Sequence, residues 1–523
     1  MRSGPHGPHG PHSSHDPHGS HSSHDSSGPH TAGGPGCSAV VTRRRLVRAG
    51  LGAAIGMLAL PDALTAAVAA AAGGDRSGAL RAAAPDATPD ATPDATPNAT
   101  PNATRHRATA LAAARWVRAA RVATPRGVAW PADPTLPASV GTDLYNGMPG
   151  VVLFCLELYH ATGDRLWLED ATRGANELIG RLETVAASRD CGLYTGLAGL
   201  GFVLEETHRA AGAGVYRDAA RHALRMVHTQ ARRVADGVAW SGDSDTTDII
   251  SGSAGIGLFL LWADRWIGDP ASRRLAAAAG RDLVARAQPT DGGLKWAISP
   301  AVPHLYPNFS HGTAGVSYFL ATLYRATGER AFLDAALAGA RYLEAVADRD
   351  NGGIKVFHHE PGGEGLFYLS WCHGPAGLSR LFYRLGEVTH EERWPALVRQ
   401  AAIATMNSGL PEQRAPGFWN NISQCCGNAG VGEYFLSLDR LMPDPSYARM
   451  AQRIAADTLR RATEEEHGLA WIQAENRVQP EYVVAQTGFM QGASGVGTLF
   501  LHLDAAARGR WSPAIAWPDT PFV

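Results

Sequence analysis

His311-Gly312-Thr313-Ala314-Gly315-Val316-Ser317-Tyr318-Phe319-Leu320-Ala321-Thr322-Leu323 places a Gly-x-x-Gly turn directly ahead of a mostly apolar stretch. The same frame returns at Gly147-Met148-Pro149-Gly150, Gly196-Leu197-Ala198-Gly199, Gly252-Ser253-Ala254-Gly255, Gly374-Pro375-Ala376-Gly377, Gly427-Asn428-Ala429-Gly430 and Gly492-Ala493-Ser494-Gly495. Intervals of about fifty to sixty-five residues mark a repeat architecture. After each apolar stretch comes a short loop, such as Thr162-Gly163-Asp164 or Thr327-Gly328-Glu329. A second helix follows, as at Phe332 to Val346, where Leu333, Ala336, Leu337, Ala340 and Leu343 share one face. Each repeat is thus a helical hairpin with one apolar and one half-polar helix. Seven hairpins predict an all-α, seven-fold (α/α) double toroid, with the apolar helices as the inner ring. The glycines permit a sharp turn and close backbone approach at the mouth of the ring.

The residues just before the turns are Asn146, Thr195, Ser251, His311, His373, Cys426 and Gln491. All are polar or metal-binding in type, which a purely structural turn does not require, so the turn face is the expected location of an active site. Two of the turns carry cysteines: Ser370-Trp371-Cys372-His373-Gly374 and Gln424-Cys425-Cys426-Gly427. Equivalent frames bring Cys372, Cys425 and Cys426 to one centre, where clustered thiolates read as a soft-metal site, zinc above all. Three thiolates with an open position suit a catalytic rather than a structural zinc, and His373 is a candidate fourth ligand. The competing readings are small buried hydrophobes, or a disulfide from Cys372 in an exported protein. His311 has the chemistry for proton transfer near neutral pH, and Asp248 is placed to orient it. As a helix cap and a helix-start carboxylate, the two would need no further role.

Composition narrows the function classes. The chain has 523 residues, 45% of them apolar, enough for a large core, and six cysteines, too few for a disulfide scaffold of this size. Cys37, Cys155 and Cys191 fall outside the two motifs, and Cys155 lies within the apolar run Val151 to Leu156. A formal charge of −2 gives no reason to expect nucleic acid or an anionic membrane as partner.

The N-terminal quarter reads differently. Residues 1–41 form a Gly/Pro/Ser/His tail with His6, His9, His12, His15, His18, His21 and His24 in strict period, a composition expected to be disordered. Residues 42–74 hold Thr42-Arg43-Arg44-Arg45-Leu46-Val47-Arg48, an apolar stretch from Ala49 to Leu60, and the run Ala66-Ala67-Val68-Ala69-Ala70-Ala71. Together they predict a twin-arginine-type export signal and an extracytoplasmic protein, a retained signal anchor being the alternative. No stable membrane span is expected, because the apolar core is short and broken by Pro61 and Asp62. Residues 75–108 repeat Pro-Asp-Ala-Thr and then Pro-Asn-Ala-Thr, a semi-rigid spacer that puts the folded body at 109–523.

The Trp-Cys-x-Gly and Cys-Cys-Gly pair, set in a seven-fold Gly-x-x-Gly repeat, resembles the lanthionine synthetase C-like family over the whole body from about Thr109. The resemblance implies an α/α toroid with zinc at its mouth. There the metal activates a peptide cysteine thiol for addition to dehydroalanine or dehydrobutyrine, giving a thioether. It further implies that Cys372, Cys425 and Cys426 bind Zn2+, that His311 protonates the enolate, and that Asp248 supports it. The commoner family pattern has His where this chain has Cys426, and the all-cysteine site resembles a minority variant. Some members have Arg at the position of Tyr368 and Tyr at that of His373. With Trp371, these two residues are candidates to line the rim. The implied partner is a peptide bearing cysteine and dehydrated residues, supplied by a separate dehydratase. Two rival readings are a toroid acting on glycans through paired carboxylates, with Asp248 and Glu433 as candidates, and a non-catalytic binder of zinc or thiol peptides.

Overall fold

The computed structural model describes residues 99–523, apart from 236, 241–244, 413–417, 420, 475–482, 510, 512 and 523. The His-rich tail, the export signal and residues 75–98 of the spacer lie outside the described residues. Fifteen helices are described: α1 (Ala99–Ala119), α2 (Met148–Thr162), α3 (Arg165–Ile179), α4 (Leu182–Ala187), α5 (Leu197–Ala211), α6 (Gly214–Gln230), α7 (Ser253–Trp266) and α8 (Pro270–Ala285). They continue with α9 (Thr313–Thr327), α10 (Arg330–Ala345), α11 (Pro375–Thr389), α12 (Arg393–Asn407), α13 (Asn428–Leu441), α14 (Pro445–Arg460) and α15 (Ala493–Ala507). Helix α1 starts upstream of Thr109 and includes the last residues of the Pro-Asn-Ala-Thr stretch.

Seven of these helices begin at a repeat turn, and the first glycine of each turn is the N-cap. They are α2, α5, α7, α9, α11, α13 and α15. Each packs against the next, and α15 packs against α2, so the inner ring closes. Their burial is nearly complete, as in α9, where every residue from Thr313 to Ala321 is buried. The outer helices bury one stripe only. In α14 it comprises Tyr447, Met450, Ala451, Ile454, Ala455, Asp457 and Thr458.

The loop joining inner to outer helix has a local cause. Gly163, Gly212 and Gly328 end α2, α5 and α9 at φ near 73°, the left-handed conformation that glycine adopts without a Cβ penalty. Asp164 then caps α3 by accepting from the Leu166 amide at 3.0 Å. The turn glycines act differently. Gly312 is extended, at φ −160°, and a Cβ added there would stand 1.8 Å from the Tyr306 carbonyl oxygen. Their requirement is close approach rather than a special dihedral.

The seventh hairpin is assembled out of order. No outer helix follows α15 among the described residues, and its antiparallel partner is α1, from the other end of the body. Short antiparallel hairpins at Val122–Ala123/Val128–Ala129, Arg232–Arg233/Val238–Ala239, Gln288–Thr290/Gly293–Lys295 and Thr463–Glu465/Gly468–Ala470 follow outer helices. Three of them lead to a buried tryptophan whose indole N–H donates back to the preceding outer helix. These bonds are Trp240 to the Val227 carbonyl, Trp296 to Leu283 and Trp471 to Thr458, at 2.7–2.8 Å. Among the described residues, no helix is long and apolar enough to cross a membrane.

Candidate metal centre and rim

Backbone hydrogen bonds link all seven turns into a closed cycle. Tyr145 N donates to Tyr194 O, Tyr194 N to Ile250 O, Ile249 N to Ser310 O, Ser310 N to Cys372 O, Cys372 N to Cys425 O, Cys425 N to Met490 O, and Met490 N to Tyr145 O, at 2.9–3.2 Å. Every carbonyl in this cycle belongs to the residue two places before a cap glycine. Cys372 and Cys425 occupy that position in adjacent repeats, and Cys426 takes the next one. The sequence spacing therefore becomes spatial proximity through main-chain bonding alone.

The sulfurs meet. Cys372 Sγ is 3.3 Å from Cys426 Sγ, which is 3.5 Å from Cys425 Sγ. All three cysteines are buried and unpaired, with separations far beyond a disulfide bond. Zinc–sulfur bonds of about 2.3 Å in a tetrahedron put sulfurs about 3.8 Å apart, so modest spreading would seat the ion. Among the described residues this is the sole group of three or more histidine, cysteine or acidic side chains whose ligand atoms all lie within 4.8 Å of one another. The donor set thus fits a soft divalent metal, and the picture of three merely apolar cysteines does not account for their convergence. Burial pushes the Cys372 thiol up, but hydrogen bonds from Cys425 and Cys426 outweigh it and hold Cys372 well below the usual thiol range. Cys425 is pushed well above that range, first by burial and then by its neighbours. Cys426 goes the same way, chiefly through its hydrogen bond with Cys372. In the metal-free cluster these directions favour the thiolate form at Cys372 over Cys425 and Cys426.

His311 Nδ1 lies 2.7 Å from Asp248 Oδ2, and both residues are buried. Asp248 Oδ1 accepts from the amides of Ser251 at 2.9 Å and Gly252 at 2.8 Å, so the third turn clamps the carboxylate that orients the histidine of the fourth. His373 is not part of the sulfur group. Its ring stacks on His358 at 4.3 Å and stands 5.6 Å from His311. Both His373 nitrogens are buried without a hydrogen bond of ordinary geometry. Burial lowers its basicity, against the attraction of Cys372. Tyr368 is buried in a two-residue strand parallel to Phe418–Trp419, with its ring 4.5 Å from His358. Asp248 and Glu433 have separate partners: Glu433 binds His502 Nδ1 at 2.8 Å. Burial depresses His502, but Glu433 and Glu157 prevail and carry it up to about 10. Asp248 and Glu433 thus belong to different hydrogen-bond networks, and Glu433 instead shares His502 with Glu157.

Several residues at the centre carried no signal in the sequence. The Tyr145 phenol accepts from Gln491 Nε2 at 2.8 Å. Burial, and then the three sulfurs, keep it protonated. His358 and His359 lie on the loop between α10 and α11, with His304 on the loop before α9, and their rings continue the imidazole wall that His373 begins. The C-terminal segment was the larger surprise. Trp517 packs on Phe489 and Phe202, and Trp262 donates to the Ala516 carbonyl at 2.9 Å. Asp519 is 2% exposed and reaches Trp371 itself. A cavity of about 110 Å³ remains beside this segment, lined by Trp371, Arg380, Gln424, Glu433, His502 and Trp517 among others. A larger hollow lies between α1 and the Thr463–Ala470 hairpin and shares no residue with the cysteine centre.

Residues 138–515 match the family described as lanthionine synthetase C-like protein. Among solved structures, nisin cyclase is similar at a TM-score of 0.53 and 16% identity, over 70% of this chain and 89% of that one. The α-1,6-mannanase GH76A of Salegentibacter sp. HEL1_6 aligns at a TM-score of 0.40 and 14% identity, over 77% and 99%. The unsaturated glucuronyl hydrolase of Bacillus sp. GL1 does so at 0.40 and 15%, over 78% and 97%. At these identities the likeness to nisin cyclase speaks for the fold alone. No curated protein sequence matches the chain.

Proposed function

This chain belongs to the lanthionine synthetase C-like family, and from that premise we propose that it is a zinc-dependent, cyclase-like enzyme that adds a peptide cysteine thiol to dehydroalanine or dehydrobutyrine. The observation that carries the reading is the meeting of Cys372, Cys425 and Cys426 on the same backbone cycle as the His311–Asp248 pair. Zinc held by the three sulfurs would bind the incoming thiol as thiolate at neutral pH. In the addition, a carbon–sulfur bond forms at the β-carbon, the C=C π bond breaks, and its electron pair moves to the α-carbon as an enolate. Asp248 engages His311 at Nδ1, which leaves Nε2 as the nitrogen that gives the enolate its proton. The proton lost by the substrate thiol balances the one delivered, so the sum is a thioether with no net proton change. Trp371, Tyr368 and His373 would line the approach of the peptide. The basic and apolar stretch from Thr42 to Leu60 supports a working place outside the cytoplasm. The dehydrated residue itself would be made by another protein.

The test is direct. Incubated with a dehydrated, cysteine-containing peptide, the purified chain is expected to consume free thiol faster than buffer does and to stop on chelation. His311→Asn is expected to slow the reaction by about 100-fold or more while zinc stays bound. Thiol loss no faster than the uncatalysed rate, across several such peptides, would overturn the proposal.

A further inference from the structure

Asp519 lies beyond the residues that match the family, yet its carboxylate sits among three donors at the centre of the molecule. Oδ2 accepts from Trp371 Nε1 at 3.2 Å, from the Tyr194 hydroxyl at 3.1 Å and from Arg380 Nη1 at 3.2 Å. One of these donors belongs to the turn cycle and a second adjoins it. Tyr194 contributes its amide and carbonyl to that cycle, and Trp371 immediately precedes Cys372. We propose that Asp519 is a positioning residue of the cysteine centre, fixing the Trp371 and Tyr194 side chains and thereby the orientation of Cys372. The inference rests on the metal-site reading above and adds to it a component from the C-terminal segment.

Three observations carry it. First, Asp519 is delivered by a segment that is anchored independently of the carboxylate. Trp262 holds the Ala516 carbonyl, Arg440 holds the Phe522 carbonyl at 3.1 Å, and Trp517 packs on Phe489. Second, an ion pair with Arg380 would suffice to anchor a tail. The additional convergence of an indole N–H and a phenol on the same oxygen means that the carboxylate fixes those two rings. Third, the main chain of Trp371 has no slack. Its carbonyl oxygen lies so close to α11 that a Cβ on Gly377 would stand 2.1 Å away. With its backbone packed from one side and its indole tied from the other, Trp371 holds the Cys372 thiol at a fixed angle to Cys425 and Cys426. Groups that orient metal ligands in this way commonly change affinity by about 10–100-fold when removed.

The experiment compares Asp519→Asn, Trp371→Phe and Arg440→Gln in the full chain. Zinc affinity is read by competition with a chromophoric chelator, and site geometry by the thiolate-to-metal charge-transfer band after Co2+ loading. Asp519→Asn and Trp371→Phe are expected to weaken zinc by about 10-fold or more and to alter the cobalt band. Arg440→Gln loosens the same segment away from the indole, and is expected to lower the melting temperature only. Should Asp519→Asn fail to fold because Arg380 loses its partner, Trp371→Phe, which leaves that ion pair in place, decides the matter. Unchanged zinc affinity and an unchanged band in the variants that fold would overturn the proposal. If the wild type takes up neither zinc nor cobalt, the metal reading fails instead. The positioning role is then judged by iodoacetamide alkylation of Cys372 in the metal-free chain. Faster alkylation in both variants supports it, and equal rates overturn it.

Discussion

Cys426 is the side chain that sets its turn apart from the others. Five sister turns place an oxygen- or nitrogen-bearing group at this position and His373 stands beside Cys372, so a single substitution at the sixth turn turns two adjacent sulfurs into three. The electrostatics of the metal-free cluster then predict how it takes up an ion. With Cys425 and Cys426 pushed toward the thiol form, zinc binding is expected to release protons, since the ligands have to be thiolates. Apparent zinc affinity should therefore rise with pH and fall as pH drops. Chelator competition between pH 6 and 8 measures the slope. Cys425→Ala should leave two sulfurs and lose the bound zinc, as metal analysis per chain will show, and its residual slope should be shallower.

At the scale of the element, the glycines divide into two kinds that the sequence does not distinguish. Gly163 ends α2 at φ 73° with open space around it, so Gly163→Ala should cost about 1–2 kcal/mol through its dihedral alone. Gly312 has an ordinary extended backbone but no room for a Cβ, and Gly312→Ala must push the fourth turn off the Tyr306 carbonyl. Its expected cost is larger, about 2–4 kcal/mol. Denaturant midpoints of the two variants give the order, and a milder Gly312→Ala would refute it. The hairpin repeat was legible because an inner helix such as α9 is largely apolar around its circumference whereas an outer one, such as α14, keeps a 3.6-residue stripe. The chemistry at positions 311, 372, 425 and 426 was legible because it occupies the fixed place before a cap glycine. His358 and Asp519 were not. They reach the centre from a loop and from a terminal segment, where no periodicity ties sequence position to place, and their partners are set by tertiary packing alone.

At the scale of the whole molecule, ring closure is the dominant constraint. Six inner helices pair with an outer helix that follows them, but α15 must use α1. Helix α1 buries Ala110, Ala113, Ala114 and Val117, and His106 Nε2 donates to Gln452 Oε1 of α14 at 3.0 Å. Removing residues through Ala119 should expose the apolar flank of α15. The expected outcome is aggregation, or a chain that binds a hydrophobic dye without a cooperative melt, whereas removal of residues 1–98 should leave the melting temperature within about 2 °C of the full chain. Gel filtration and thermal melts separate the two. Because the first helix waits for the last, the ring can close only once α15 is in place to pack against α1. The cycle of turns likewise closes only when Met490 bonds to both Tyr145 and Cys425. An unfinished ring therefore lacks part of the backbone support that holds Cys425 in its turn, and early labelling of that thiol during refolding should fall as the ring closes.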